Sequence, residues 1–194
     1  MYSDLQINIE SITAGTLATT CSWPSHTIQY VVDTSVASCF VRSVAQNILM
    51  EVVGDSGTLT SHVVLQLQHG ALYVDSLRPL HIVTISEEEI RCWGTWEGVY
   101  KVGSHCDYAD DGTIAVATLI PTRQVRLLTI DRFMRHRAER LGIQVHGVDW
   151  LLMEAVLRGI ASVHSVLKLH KEMRSNGDRL LALTDPKNPL RMLY

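Results

Sequence analysis

The stretch "SHVVLQLQHGALYVD", residues 61–75, decides how the middle of the chain is read. Leu65, Gln66, Leu67 and Gln68 alternate apolar and polar, which is the period of a strand with one covered face. His69-Gly70 follows as a turn, and "ALYVD" supplies a second run beyond it. Read as two strands, the segment sets a pattern that its neighbours continue. "LHIVTI" (80–85) enters after Pro79, and "EIRCWGTWEGVYKV" (89–102) carries on in extended character. "TIAVATLI" (113–120) follows the acidic turn "DYADDG" (107–112) and stops before Pro121. Four or five consecutive strands with short connections favour an antiparallel sheet.

Working outward, "LQINIE" (5–10) and "TIQYVV" (27–32) read as short strands, separated by a Ser-, Thr- and Gly-rich irregular arm (11–26). Between an N-cap at Asp33, Thr34 or Ser35 and a stop at Gly54, the residues Val36, Phe40, Val41, Val44, Ile48 and Val52 recur at helical spacing. Thr129 caps a predicted helix running to Leu141, stopped by Gly142. A longer helix is predicted from Asp149 to about Arg174, with Gly159 inside it and Asn176-Gly177 closing it. Strands first and helices after argue for α+β over a βαβ fold. The expected architecture is an N-terminal strand and helix, a central antiparallel sheet of four to five strands, a C-terminal helical pair and an extended apolar tail. The predicted domain covers 1–184, and 185–194 forms a C-terminal arm.

The chain has 194 residues, 46% hydrophobic and 19% charged, enough to bury a core without disulfides or metal. Its charge is unevenly placed. Residues 1–100 hold three basic side chains against ten acidic ones, a net of −7; residues 101–194 hold fourteen against ten, a net of +4. Such a dipolar chain suits head-to-tail association or an anionic partner. Cysteines at 21, 39, 92 and 106 show no C-x-x-C spacing, which favours a reducing compartment. There is no basic start followed by an apolar run at the N-terminus. The longest apolar candidate, Trp150–Leu169, is broken by Glu154, Arg158, His164 and Lys168. These features predict an intracellular protein, cytoplasmic or nuclear.

No G-x-x-x-x-G-K-[ST], G-x-G-x-x-G or H-E-x-x-H motif occurs, and no cofactor, metal or small-molecule substrate is expected. The most suggestive segment is "RFMRHRAER", 132–140. On a helix Ile130, Met134, Ala138 and Leu141 share one side, and Arg132, Arg135, His136 and Arg140 the other. Asp131 and Glu139 neutralise part of this charge. With Arg123 and Arg126 upstream, the face can hold an anionic partner: nucleic acid, an anionic membrane surface, or the acidic half of a second copy. Glu87, Glu88 and Glu89 read as a solvated acidic turn and as the matching patch on that copy. The tail, broken by Asp185-Pro186 and Asn188-Pro189, ends in Leu190, Met192, Leu193 and Tyr194 and needs a groove, its own or a neighbour's.

Together these readings predict a non-enzymatic, self-assembling structural protein, a homo-oligomer with the physics of a viral matrix or shell protein. One alternative is a nucleic-acid or anionic-membrane binder using the 123–140 segment. The other is a cysteine-dependent enzyme with Cys106 as nucleophile, which would need a histidine brought from elsewhere, since His105 and Cys106 point apart in an extended chain.

Overall fold

The computed structural model describes residues 5–6, 29–96, 107–120 and 124–193. The sheet is parallel throughout, and the antiparallel α+β expectation is overturned. Six strands are paired: β1 (Leu5–Gln6), β2 (Gln29–Val32), β3 (Gly57–Thr60), β4 (His81–Thr84), β5 (Val125–Leu128) and β6 (Gln144–His146). Their spatial order is β1-β4-β3-β2-β5-β6, and every neighbouring pair runs parallel. The helices are α1 (Thr34–Arg42), α2 (Gln46–Val53), α3 (Ser61–His69), α4 (Glu87–Trp96), α5 (Tyr108–Leu119), α6 (Arg132–Arg140), α7 (Val148–Leu157) and α8 (Val163–Ser175). Strands alternate with helices, which is the α/β pattern.

The segment 61–75 shows why. Thr60 accepts the Val63 N–H through its side chain, so the chain turns into helix α3 as soon as β3 ends. The helix buries Val63 and Leu67, four residues apart, while Leu65 is 48% exposed. The local apolar–polar alternation was a by-product of that i, i+4 pair. "ALYVD" forms no strand; it leads into a 3-10 turn at Asp75–Leu77. Likewise "TIAVATLI" is the second half of helix α5, and "DYADDG" is its capped first turn. Asp107 accepts the backbone N–H groups of Ala109 and Asp110. Residues Asp111–Ala117 are all buried, so no polar stripe betrays the helix. Small residues let it sit close: a Cβ on Gly112 would come within 3.0 Å of Ile90 Cδ1 on α4.

The acidic run Glu87–Glu89 is the first turn of helix α4, with Glu87 and Glu88 exposed to solvent. Ser86 and Glu89 form a reciprocal cap. The Glu89 carboxylate accepts the Ser86 N–H at 2.7 Å, and the Ser86 hydroxyl accepts the Glu89 N–H at 3.2 Å. Glu89 is thereby buried, which removes it from any docking patch. The later part of "EIRCWGTWEGVYKV" lies outside the described residues, as does most of "LQINIE".

Two predicted helices are each split in two. The 33–54 helix breaks at Ser43–Ala45, where Val44 has φ 51 and is 83% exposed. The 149–174 helix breaks after α7, where Gly159 has φ 71, a backbone state that glycine adopts without strain. The closing Asn176-Gly177 is where it was predicted, with Gly177 at φ 89. Helix α6 is capped by Asp131 and not by Thr129.

Apolar clusters cover both sheet faces. One joins Tyr30, Val32 and Leu128 to α1, α2, α3, α7 and α8. The other joins Val31, Val83 and Leu127 to α4, α5 and α6. No described helix is long and apolar enough to cross a membrane.

The tail folds back on its own domain. Asn188 donates to the carbonyls of Leu181 (3.0 Å) and Ala182 (3.3 Å), and its own Oδ1 accepts the Leu190 N–H at 2.9 Å. Leu190 is fully buried against the first cluster and Leu193 packs at its margin, while Met192 is 87% exposed. Tyr194 lies outside the described residues. Leu190→Ala should therefore lower unfolding free energy by about 2–5 kcal/mol in a urea titration. Met192→Ala should change it by less than about 0.5 kcal/mol.

Candidate active site

A parallel sheet gathers the ends of its strands, and the loops after them, at one edge. Here the chain runs β2, β3, β4 to one side of β2, then returns to place β5 and β6 on the other. The switch falls between β2 and β5, where ligand crevices form in open α/β sheets. Asp33 ends β2 and Thr129–Asp131 follow β5, so both lie at that switch.

Asp33 is the centre of a buried polar network. Its Oδ2 accepts the Ser35 hydroxyl at 2.5 Å and the Thr129 hydroxyl at 2.7 Å. The Ser35 Oγ in turn accepts the Ile130 N–H at 3.1 Å, and Thr129 Oγ1 accepts the Asp131 N–H at 3.0 Å. The Asp33 N–H donates to Leu128 O at 3.0 Å. The Thr129 bond, with the Ser35–Ile130 and Asp33–Leu128 bonds beside it, ties this end of β2 to the β5 side of the switch. Its other oxygen, Oδ1, is buried and makes no hydrogen bond among the described residues. Asp33 is 1% exposed. Burial pushes its carboxyl above the ordinary range, and the hydroxyls of Ser35 and Thr129 with the nearby backbone N–H groups offset only part of that.

Three further aspartates converge on this point. Asp131 caps α6 through Oδ1, which accepts the N–H groups of Phe133 (2.8 Å) and Met134 (2.9 Å). Asp107 caps α5, and Asp110 stands one turn in. Asp110 is pushed up to about 7, first by burial and then by the negative charges of Asp33, Asp107 and Asp131. Its neighbour Asp111 is buried too, but Arg137 pairs with it at 2.6 Å and ties α6 to α5. The cluster thus contains one neutralised carboxylate and several whose mutual repulsion is not relieved. His62, in the first turn of α3, flanks the same edge; its ring lies 5.7 Å from that of Tyr108, and its buried Nδ1 has no partner among the described residues. Among the described residues no group of three or more His, Cys, Asp and Glu is placed to hold a metal ion by itself.

The residues singled out from the sequence fare differently. Arg132, His136 and Arg140 are exposed on α6. Arg135 turns back, donating to the carbonyls of Thr129 (3.2 Å) and Val145 (3.5 Å). Arg126 points to the other sheet face, 5.3 Å above the Trp150 ring. The described ones among these basic residues therefore do not share one face. Arg123 and Cys106 lie outside the described residues. Cys39 is buried and its thiol is pushed up by burial, so it is no nucleophile. Asp33, Asp110, Asp131 and Arg137 were missed as site residues. The available signal was positional: "YVVD" and "LLTID" are apolar strands that each run straight into an aspartate before a helix.

No protein-family description and no curated protein sequence matches the chain. Among solved structures it is similar to a PilT N-terminus domain protein from the hyperthermophilic archaeon Sulfolobus solfataricus P2. The TM-score is 0.46 and the identity 20%, over 66% of this chain and 92% of that one. The comparison offers nothing in support of the expected self-assembling, matrix- or shell-like structural protein.

Proposed function

We propose that this protein is a divalent-cation-dependent nuclease centred on Asp33, with Asp110 and Asp131 supplying negative charge around it. The observation that carries the reading is the buried Asp33 carboxylate at the strand switch, with one oxygen fixed by two hydroxyls and the other left without a partner. A buried anion without a cation is costly, and mutually repelling carboxylates beside it add to that cost. A dication with hard oxygen ligands removes both costs at once. The donor set, aspartate oxygens without sulfur, fits magnesium or manganese better than a soft metal.

A bound dication supplies Lewis-acid charge that offsets the negative phosphoryl oxygens of a phosphodiester. The chain's own residues do the rest. Ser35 and Thr129 hold Asp33 through Oδ2 and leave Oδ1 without a hydrogen bond among the described residues. The α6 cap occupies only Oδ1 of Asp131, so its second oxygen is not used by the cap. The exposed Arg132, His136 and Arg140 follow directly on α6 and offer positive charge to a polyanion outside the carboxylate ring. Hydrolysis breaks one P–O bond and forms another to the oxygen of water, and the departing oxygen takes up a proton. The intracellular location predicted from the cysteines belongs to this reading.

Cleavage of end-labelled oligonucleotides with magnesium or manganese tests it. Asp33→Asn and Asp131→Asn should each lose about 100-fold or more of the rate. Cleavage that persists in excess chelator, or that survives Asp33→Asn, overturns it.

The same carboxylates predict a pH dependence. Asp110 titrates near 3.8 in the unfolded chain and about 7 in the fold. Between those values the native state holds a proton that the unfolded state has released. The stability due to this group is therefore full below about pH 4 and is lost as pH rises through about 7. In chelator, Asp110→Asn should melt above the parent at pH 8, with the difference closing toward pH 4. Manganese should raise the parent's Tm at pH 8 and raise that of the variant much less.

A further inference from the structure

Beside the carboxylates, at the open edge of the sheet, lies a cavity of about 510 Å³. The end of β6, the starts of α6 and α7, and the returning tail enclose it. Three cations line it: Arg135 from α6, Arg179 from the segment after α8, and Lys187 from the tail. None of the three has an ion pair among the described residues, and Arg179 and Lys187 are exposed. The one carboxylate in the wall, Asp149, is already engaged. His170 Nε2 lies 2.9 Å from it and Asn188 Nδ2 donates to it at 3.4 Å. The cavity therefore carries three cations against the single carboxylate of Asp149.

Its remaining wall is aromatic. His146 stacks on Trp150 with ring centroids 4.3 Å apart. Burial, with Arg126 and Arg135 nearby, pushes His146 down to about 4, so the imidazole is neutral at physiological pH and presents a flat, uncharged surface. A single residue links this cavity to the acidic centre. Thr129 receives Arg135 on its carbonyl oxygen and gives its hydroxyl to Asp33. Anything lying along the strand ends would touch both.

We propose that this cavity is the strand-binding subsite of the centre, taking single-stranded nucleic acid, with Arg135, Arg179 and Lys187 on backbone phosphates and the Trp150–His146 wall against sugar and base. The inference rests on the nuclease reading for its reaction but not for its binding. The chemistry selects the ligand. Unpaired cations around an aromatic wall match an alternation of phosphate and flat base, the combination single-strand binders use. The shape selects the strand state. A volume of about 510 Å³ is that of a small-ligand pocket. One nucleotide with its phosphate enters such a space, whereas a duplex would rest across its mouth. The tail that needed a groove is thereby part of a different groove's wall.

The test is binding of a fluorescein-labelled single-stranded ten-uridine RNA to the full chain in chelator, by anisotropy across a salt series. Arg179→Ala and Lys187→Ala, both exposed positions, should each weaken binding about 3- to 10-fold. Each should also lower the slope of log K against log salt by about 0.7, the single-strand value per lost phosphate contact. A stable RNA hairpin of similar charge should bind several-fold more weakly than the single strand. Asp33→Asn should leave the dependence on Arg179 and Lys187 intact. No salt-sensitive binding by the parent, an unchanged slope in the double variant, or equal binding of the hairpin overturns the subsite. Loss of binding in Arg179→Ala without any cation-dependent cleavage by the parent overturns only the nuclease reading. Cleavage with an unchanged slope overturns only the subsite.

Discussion

The structure turns on one carboxylate. Asp33 ends the central strand β2, and its Oδ2 receives hydroxyls from Ser35 on its own helix and from Thr129 beyond β5. That shared oxygen is a bond between residues 96 apart in the chain, at the point where the strand order reverses. It fixes β5 to β2 at the carboxyl edge, sets where α6 starts through Asp131, and places Thr129 between the acidic centre and the basic cavity. Replacing it by an apolar side chain would strand the Ser35 and Thr129 hydroxyls, and leaving it ionised keeps an unpaired charge in the interior.

A fold built only for stability would not keep this arrangement. The interior elsewhere is conventional. Two apolar clusters cover the sheet, and the buried charge of Asp111 is answered by Arg137. The contrast between adjacent residues is instructive. Asp111 has its own cation at 2.6 Å, while Asp110 has three carboxylates within electrostatic range and only the more distant influence of Arg137. That local repulsion is what the cation of the proposed function would relieve.

Much of the frame was legible in the sequence, though its topology was not. The β2 and β4 strands, the start of α1, the stop at Gly142 and the Asn176-Gly177 terminus all follow from local rules, and local rules decide them. Helices α3 and α5 failed for different reasons: in α3 the buried pair Val63 and Leu67 falls in a run that alternates Leu and Gln, whereas α5 is buried along most of its length. A helix covered on most sides loses its polar stripe, and "TIAVATLI" then looks like the β-branched run of a strand. The strand β3, "GTLT", failed in the opposite way, since a buried central strand need not be apolar when Thr58 and Thr60 are wholly enclosed. With Glu89–Trp96 of α4 also read as extended, the βα units of the middle of the chain became antiparallel hairpins. The site vanished with them, because aspartates at strand ends converge only if the strands run the same way.

The Arg-rich segment shows why composition alone could not assign a partner. Its nine residues divide their work among three places. Met134 and Ala138 are buried beneath the helix, and Arg137 crosses to Asp111 with its guanidinium 5.4 Å from the Phe133 ring. Arg135 folds back toward β6 and reaches the cavity. Only Arg132, His136 and Arg140 remain as an open cationic face, with Glu139 among them. The positive charge that matters for an anionic ligand is therefore assembled from distant parts of the chain. Arg179 comes from the segment after α8 and Lys187 from the tail that looked apolar, and Lys187 is held near Arg135 because Asn188 and Leu190 anchor that tail across α7. The anchoring of the tail and the positive character of the cavity are one structural fact. A chain of net charge −3 can offer a polyanion a welcoming surface when burial and pairing spend its carboxylates elsewhere and leave its cations together.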